Sequence, residues 1–173
     1  MNTTNFRNIL VQEVHRRLFE ESWPRLKYCL HLLEEEEVWL RPNEHSNAVG
    51  NLVLHLCGNA RQWLVSGLGG TPDFRRRSEE FAARGPIPKA TLLEVLEGLQ
   101  PEIARVLDGL KEEDLLKTYD VQGFKESGIS VLIHVVEHFS YHVGQISYFV
   151  KARKNLDLGY YAGLDLEQKK GDT

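Results

Sequence analysis

The sequence predicts an all-α protein, a four-helix bundle with long crossover connections. Four segments carry apolar residues at helical spacing, glycine and proline fall between those segments, and the one extended stretch is too short to found a sheet of its own. At 173 residues the chain reads as one domain over 1–173, long enough to bury a real core, with roughly residues 165–173 as a flexible tail.

The first helix is expected from about Asn5 to Leu33, because Phe6, Leu10, Val14 and Leu18 recur every four residues. Pro24 interrupts it, and with Ser22 able to cap, the helix either kinks there or restarts. The acidic run at 34–37 and Pro42 close this region. The second helix starts after Ser46 or Asn47 and stops at about Gly67, before Leu-Gly-Gly-Thr-Pro. Residues 68–88 are a long connection that can pass over one end of a bundle, with one short helix through Glu79 to Ala83. The third helix covers Lys89 to Leu110, with Pro101 as an interior irregularity. Residues 118–128 are extended around Gly123, which allows at most a minor β-hairpin near 117–125. The fourth helix runs from Ser127 or Ser130 to Arg153.

Composition excludes several classes of function. Twenty-one basic and twenty-five acidic side chains leave a net charge of −4, so no positive field draws the chain to nucleic acid or anionic lipid. No apolar run approaches the roughly 20 residues of a membrane span, and the N-terminus lacks the basic and apolar regions of a signal peptide. Cys29 and Cys57 form neither a disulfide framework nor a Cys-x-x-Cys pair. A cytoplasmic location with reduced, buried thiols is the expectation.

Chemistry concentrates in the last helix. In HVVEHFSYHVGQI, His134, His138 and His142 recur every four residues and stack along one helix face. From first to last they span about 12 Å at 1.5 Å rise per residue, while a metal–imidazole bond is about 2.0–2.1 Å. All three therefore cannot ligate one ion; a neighbouring pair can, with a further ligand from another helix. Helix two offers it, since Asn51, His55 and Asn59 share the same spacing and Trp63 continues the stripe. Val49, Leu52, Val53, Leu56 and Leu64 flank that stripe with apolar surface. Buried polar groups need partners, and water, one another or a divalent ion would supply them. Spacing alone leaves the choice between His134–His138 and His138–His142 open. Of the other histidines, His15 reads as surface, His45 as part of a turn, and His31 as either core or surface.

Several further residues have two readings. Arg75, Arg76 and Arg77 read as a solvated loop paired with Glu79 and Glu80, or as an anion grip above the cavity. Trp63, Phe139, Tyr141 and Tyr148 read as core, with Trp63 and Tyr141 close enough to the stripes to wall a pocket. Gln145, three residues after His142, reads as orienting a water or a ligand imidazole, or as merely capping a buried contact. Cys57 points away from His55, and Cys29 lacks the electropositive setting of a nucleophile.

HFSYHVGQI, taken with SNAVGNLVLHLCGNARQW, resembles the DinB-like (YfiT-like) superfamily of metal-dependent enzymes, and within it a subgroup of uncharacterised bacterial proteins. The resemblance extends over nearly the whole chain, through RRRSEEFAARG, TYDVQGF and KNLDLGYY. It implies a bundle with an unusual connection order and a histidine triad at one end. Carried over by motif, the triad falls on His55, His138 and His142, which leaves His134 as a supporting or core histidine. Zinc or nickel is the implied ion. Relatives include bacillithiol S-transferases and a mycothiol-dependent maleylpyruvate isomerase, which use the ion to activate a low-molecular-weight thiol. Many relatives read His-Arg-Gly-Gln where this chain has Val143. The acidic groups of a thiol cofactor thereby lose a cationic partner, for which Arg61, Arg75, Arg76 or Arg77 would have to substitute.

The resulting expectation is a metal-dependent enzyme acting on a small molecule, by thiol transfer first and metal-assisted hydrolysis second. Asn59, Trp63, Tyr141 and Gln145 would line its pocket. Three protein ligands leave a coordination position open, as catalytic zinc sites do. The alternative is a non-catalytic metal-binding bundle for storage, sensing or assembly. A homodimer is expected because such bundles bury leftover apolar surface against a copy of themselves, and twofold dimers are the commonest oligomers.

Overall fold

The computed structural model describes residues 5–171, beginning where the Asn5 side chain accepts the Arg7 N–H at 2.8 Å and caps the first helix. That helix, α1 (Phe6–His15), continues through a π-helical stretch, Arg16–Ser22, into α2 (Trp23–Leu32). It neither breaks nor restarts at Pro24. Ser22 stays helical at φ −69°, ψ −44° and caps nothing, while the Trp23 N–H reaches back to the Leu18 carbonyl. The wider turn absorbs a proline that brings a ring and no N–H. The four-residue stripe also drifts. At 100° per residue each step of four overshoots a full turn by about 40°, so Leu18 is fully buried whereas Phe6 lies in solvent.

The acidic run forms a helical turn of its own, α3 (Glu35–Val38), with Glu37 accepting the Glu34 N–H at 2.9 Å. Next comes α4 (Val49–Ala60), extended by a π-helical stretch, Arg61–Leu68. Asn51 caps it from inside by accepting the Ala48 N–H at 3.1 Å. The connection that follows carries α5 (Arg77–Ala82), and Trp39 secures its far end by donating from Nε1 to the Ile87 carbonyl at 3.0 Å. The long helix α6 (Lys89–Gly109) buries Leu92, Leu96, Leu99, Ile103 and Leu107 along one face. Pro101 is exposed, so the carbonyl it deprives of a partner can meet water.

A single-turn helix, α7 (Glu112–Leu116), precedes the hairpin and had no periodic signature of its own. Strands β1 (Thr118–Val121) and β2 (Phe124–Ser127) pair antiparallel, with Val121 opposite Phe124. Gln122 and Gly123 both take positive φ, 56° and 80°, as a type I′ turn requires. Ser127 then caps α8 (Gly128–Lys154) by accepting the Ser130 N–H at 3.1 Å.

Helix α8 packs against α2 and α4, α4 against α6, and α6 against α1, which gives the predicted bundle. Its buried side chains form one hydrophobic cluster, in which Trp23 stacks on Phe139 with ring centroids 4.9 Å apart. Phe139 is core as expected, but Tyr141 and Tyr148 are 62% and 77% exposed. They lie seven residues apart on the outer face of α8, opposite the buried face of Val135, Phe139 and Ile146.

Beyond α8, the Tyr160 hydroxyl lies 2.7 Å from Ser147 Oγ and 3.2 Å from Cys29 Sγ, tying the C-terminal segment to the bundle. Residues 165–171 of the expected tail form exposed turns, and 172–173 lie outside the described residues. Both cysteines are free and buried; burial pushes the Cys57 thiol up to about 12 and Cys29 in the same direction. Among the described residues no helix is long and apolar enough to cross a membrane.

Candidate metal centre

Helices α4 and α8 face each other with their polar stripes. His55 on α4 meets His138 and His142 on α8, and one nitrogen from each ring falls within 4.8 Å of the others. The closest pair, His55 Nε2 and His138 Nε2, is 2.9 Å apart. In a tetrahedral site with bonds of about 2.0–2.1 Å, donor atoms stand roughly 3.3 Å apart. Small ring movements therefore suffice to fit an ion. His134 lies one turn away on α8 and is not part of this group.

The backs of two rings are held by acceptors. His142 Nδ1 lies 2.7 Å from Gln145 Oε1, so Nδ1–H donates and the Nε2 lone pair is left for the site. His55 Nδ1 lies 2.9 Å from Glu80 Oε2 and 3.1 Å from an Arg75 guanidinium nitrogen. Arg75 has only donors. Its Nε and Nη2 are already given to the two Glu80 oxygens at 2.7 and 2.9 Å, and its Nη1 to Gln62 Oε1 at 2.8 Å. An ionised carboxylate can only accept, so the 2.9 Å contact with Glu80 calls for a proton on His55 Nδ1, and Nε2 again faces the site. A histidine whose far nitrogen donates to a carboxylate or amide oxygen is the usual form of a metal-ligating imidazole.

Electrostatics favours neutral rings here. Burial, reinforced by the neighbouring imidazoles, pushes His138 down to about 3. Burial also lowers His142, against the raising effect of the Gln145 bond. For Glu80, burial pushes the carboxyl up, but the hydrogen bonds from Arg75 and His55 outweigh it and hold the group below its usual range. The donor set is three imidazoles, of which burial holds His138 and His142 toward the neutral form, and the carboxylate behind His55 is paired with its own arginine. Such a set suits a borderline ion such as zinc or nickel.

The remaining predicted site residues divide into two groups. Asn59 and Trp63 are buried against His134: Asn59 Nδ2 is 3.2 Å from His134 Nε2, and the Trp63 and His134 rings stack 3.7 Å apart. Tyr141 sets its ring edge-on to His142 at 5.0 Å, and Tyr141 and Gln145 both face open grooves. The four do not line one pocket. A groove of about 920 Å³ along α8 is lined by His134, His138 and Tyr141, with Arg17, Arg25 and Glu137 beside them.

The second reading of the arginine run, an anion grip, meets side chains that already have partners. Arg61 pairs with Glu102 at 2.6 Å, Arg76 with Glu79 at 3.1 Å, and Arg77 lies over the Phe81 ring at 4.9 Å. Arg75 alone reaches the centre, but its side chain is only 5% exposed and its fork is spent on Glu80. It is also no solvated loop residue. Asn51, grouped by sequence with the site, faces the connection instead and donates to the Glu80 and Ala83 carbonyls at 2.9 Å each. The residue that the sequence reading missed as a site component is Glu80. The spacing of 25 residues from His55 carried no signal, since the contact depends on the path of the connection.

A comparison with the curated proteins finds no match. Among solved structures, a conserved protein from Enterococcus faecalis superposes with a TM-score of 0.65 at 16% identity, over 89% of this chain and 100% of that one. A DinB-like protein from Bacillus cereus ATCC 10987 gives 0.63 at 16% identity, over 82% and 91% respectively. Both likenesses speak for the fold, which is DinB-like. A family model described as "Protein of unknown function (DUF1572)" matches residues 8–161, and the chain belongs to that family.

Proposed function

We propose that this protein is a metal-dependent enzyme in which His55, His138 and His142 hold one zinc or nickel ion. The reading rests on the convergence of three imidazole nitrogens within 4.8 Å, with two of the rings fixed from behind so that their lone pairs face inward. When bound, the ion would supply Lewis acidity toward a small nucleophile at whatever position the three imidazoles leave open. The protein's own contribution is orientation. Glu80 and Gln145 hold two rings, Phe81 packs at 4.6 Å against His55, and Tyr141 flanks His142. The groove along α8 has room for a small molecule beside His138.

Thiol transfer is the reaction we favour, on the family resemblance, with hydrolysis as the second choice. Arg61 and Arg75 are held in close ion pairs with Glu102 and Glu80. The cations that line the groove itself, Arg17 and Arg25, share Glu13, Glu21 and the Tyr160 and Tyr161 rings, so an acidic part of a thiol would compete with those partners. The test begins with metal analysis of protein purified without a histidine tag. It continues with a panel of low-molecular-weight thiols and electrophilic acceptors, and then with esters and amides. Turnover that disappears in His142→Ala supports the reading. Thiol transfer that survives that substitution removes the metal from the mechanism. Stoichiometric metal without turnover in either panel would point to a non-catalytic metal-binding bundle.

A further inference from the structure

The connection between α4 and α6 is more than a link. Its segment from Arg75 to Ala83 is fastened by Asn51 of α4, which donates to two of its carbonyls, and by Arg41 in the stretch before α4, which donates to the Phe81 carbonyl at 3.1 Å. Within this frame the Arg75–Glu80 pair sits directly over Gly58. A Cβ built on Gly58 would stand 2.1 Å from Glu80 Oε1 and 3.0 Å from Arg75 Nε. Only a residue without a side chain leaves that notch open. Gly58 is three residues from His55 on the same helix and therefore beside it on the same face.

We propose that Glu80 is a positioning residue for the metal centre, seated by Arg75 in the notch of Gly58, and that it fixes His55 in the tautomer with Nε2 free. The device makes the connection part of the site. Arg75 holds both carboxylate oxygens in a bidentate pair, so Glu80 has one orientation to offer. The pair carries no net charge, so it aligns the ring without adding a negative charge beside a bound cation. A free imidazole divides between two tautomers and rotates about its side chain, whereas His55 meets the centre already aligned. The proposal rests on the reading of His55 as a metal ligand, but the tautomer itself can be measured without metal.

Two variants separate positioning from folding. Glu80→Ala removes the acceptor but strands a buried guanidinium, which can cost stability by itself. Gly58→Ala keeps every polar group and only displaces the end of the Glu80 side chain from its notch. Imidazole ¹⁵N chemical shifts of metal-free protein should show His55 protonated at Nδ1 in the wild type and a mixture of tautomers in Gly58→Ala. Zinc affinity, by competition with a chromophoric chelator, should weaken by roughly 10–100-fold in both variants, the usual effect of losing an outer partner of a ligand histidine. A wild-type His55 protonated at Nε2 would overturn the proposal, as would a Gly58→Ala protein with unchanged tautomer and zinc affinity. Failure of the wild type to bind zinc, with Nδ1–H intact, would instead overturn the metal reading and leave the positioning geometry standing.

Discussion

His134 and His138 sit one helical turn apart on α8, and their rings stack with centroids 5.4 Å apart. Their chemistry differs because of what α4 presents to each. Opposite His134 stand Trp63 and Asn59, which cover the ring face and occupy Nε2. The tryptophan in turn donates from Nε1 to Gln122 at the hairpin turn, so this end of the stripe is a packed joint between hairpin, α4 and α8. Opposite His138 stands His55, whose Nε2 points at it from 2.9 Å. The same residue at the same spacing thus serves cohesion at one turn and joins a cluster able to hold an ion at the next. What decides is whether the facing helix meets the ring nitrogen with an amide or with a second imidazole nitrogen able to share an ion with it.

The sharpest way to break this contrast is to truncate one histidine from each region. His142→Ala should abolish zinc binding at micromolar metal, while its circular dichroism remains that of a folded bundle. His134→Ala should bind zinc like the wild type, because its ring lies outside the group of converging nitrogens. Isothermal titration checks both, and equal losses would merge the two regions into one site.

The joint should reveal itself in stability. Trp63 is buried, stacks on His134 and contacts Phe124 at 6.4 Å, so Trp63→Ala should cost about 3–5 kcal/mol in urea unfolding. Metal affinity of the protein that remains folded should change far less than in His142→Ala. If the two properties fall together, the joint and the centre are not separable.

A smaller effect concerns pH. The unfolded chain takes up protons at His138 near the ordinary value of about 6.5, whereas the folded ring does so only at about 3. Between those values the unfolded state binds more protons, so stability of the metal-free protein should fall as pH drops from about 6.5 toward 3. Urea midpoints at neutral pH and at about pH 5, compared with those of His138→Gln, measure the contribution. A slope unchanged by that substitution would mean that the ring is solvated in the free protein.

Much of this was legible before folding. The four long helices announce themselves by apolar periodicity, and the Gln122–Gly123 turn follows from where glycine stands. The π-helical stretches at Arg16–Ser22 and Arg61–Leu68 were not legible, since they alter hydrogen-bond register without altering composition. Tyr141 and Tyr148 were misread as core because an aromatic residue on a long helix suits either face, and only the neighbours decide which face is outside. The arginine run concealed two environments. Arg76 and Arg77 are surface residues, as the simplest reading held, but Arg75 turns inward because Glu80 waits there with room made by Gly58.

By itself the sequence determined the helical class and two stripes of polar residues at four-residue spacing, because both follow from local periodicity along one chain. It also showed that His134, His138 and His142 could not all share one ion, from rise per residue and bond length alone. The tertiary structure decided which two histidines of α8 meet His55, that Asn51 faces the connection rather than the centre, and that Glu80 stands behind His55. Those outcomes depend on the relative placement of α4, α8 and a connection that crosses between them. Hydrogen bonds across such distances in sequence are set by packing of the whole bundle, and no spacing along the chain encodes them.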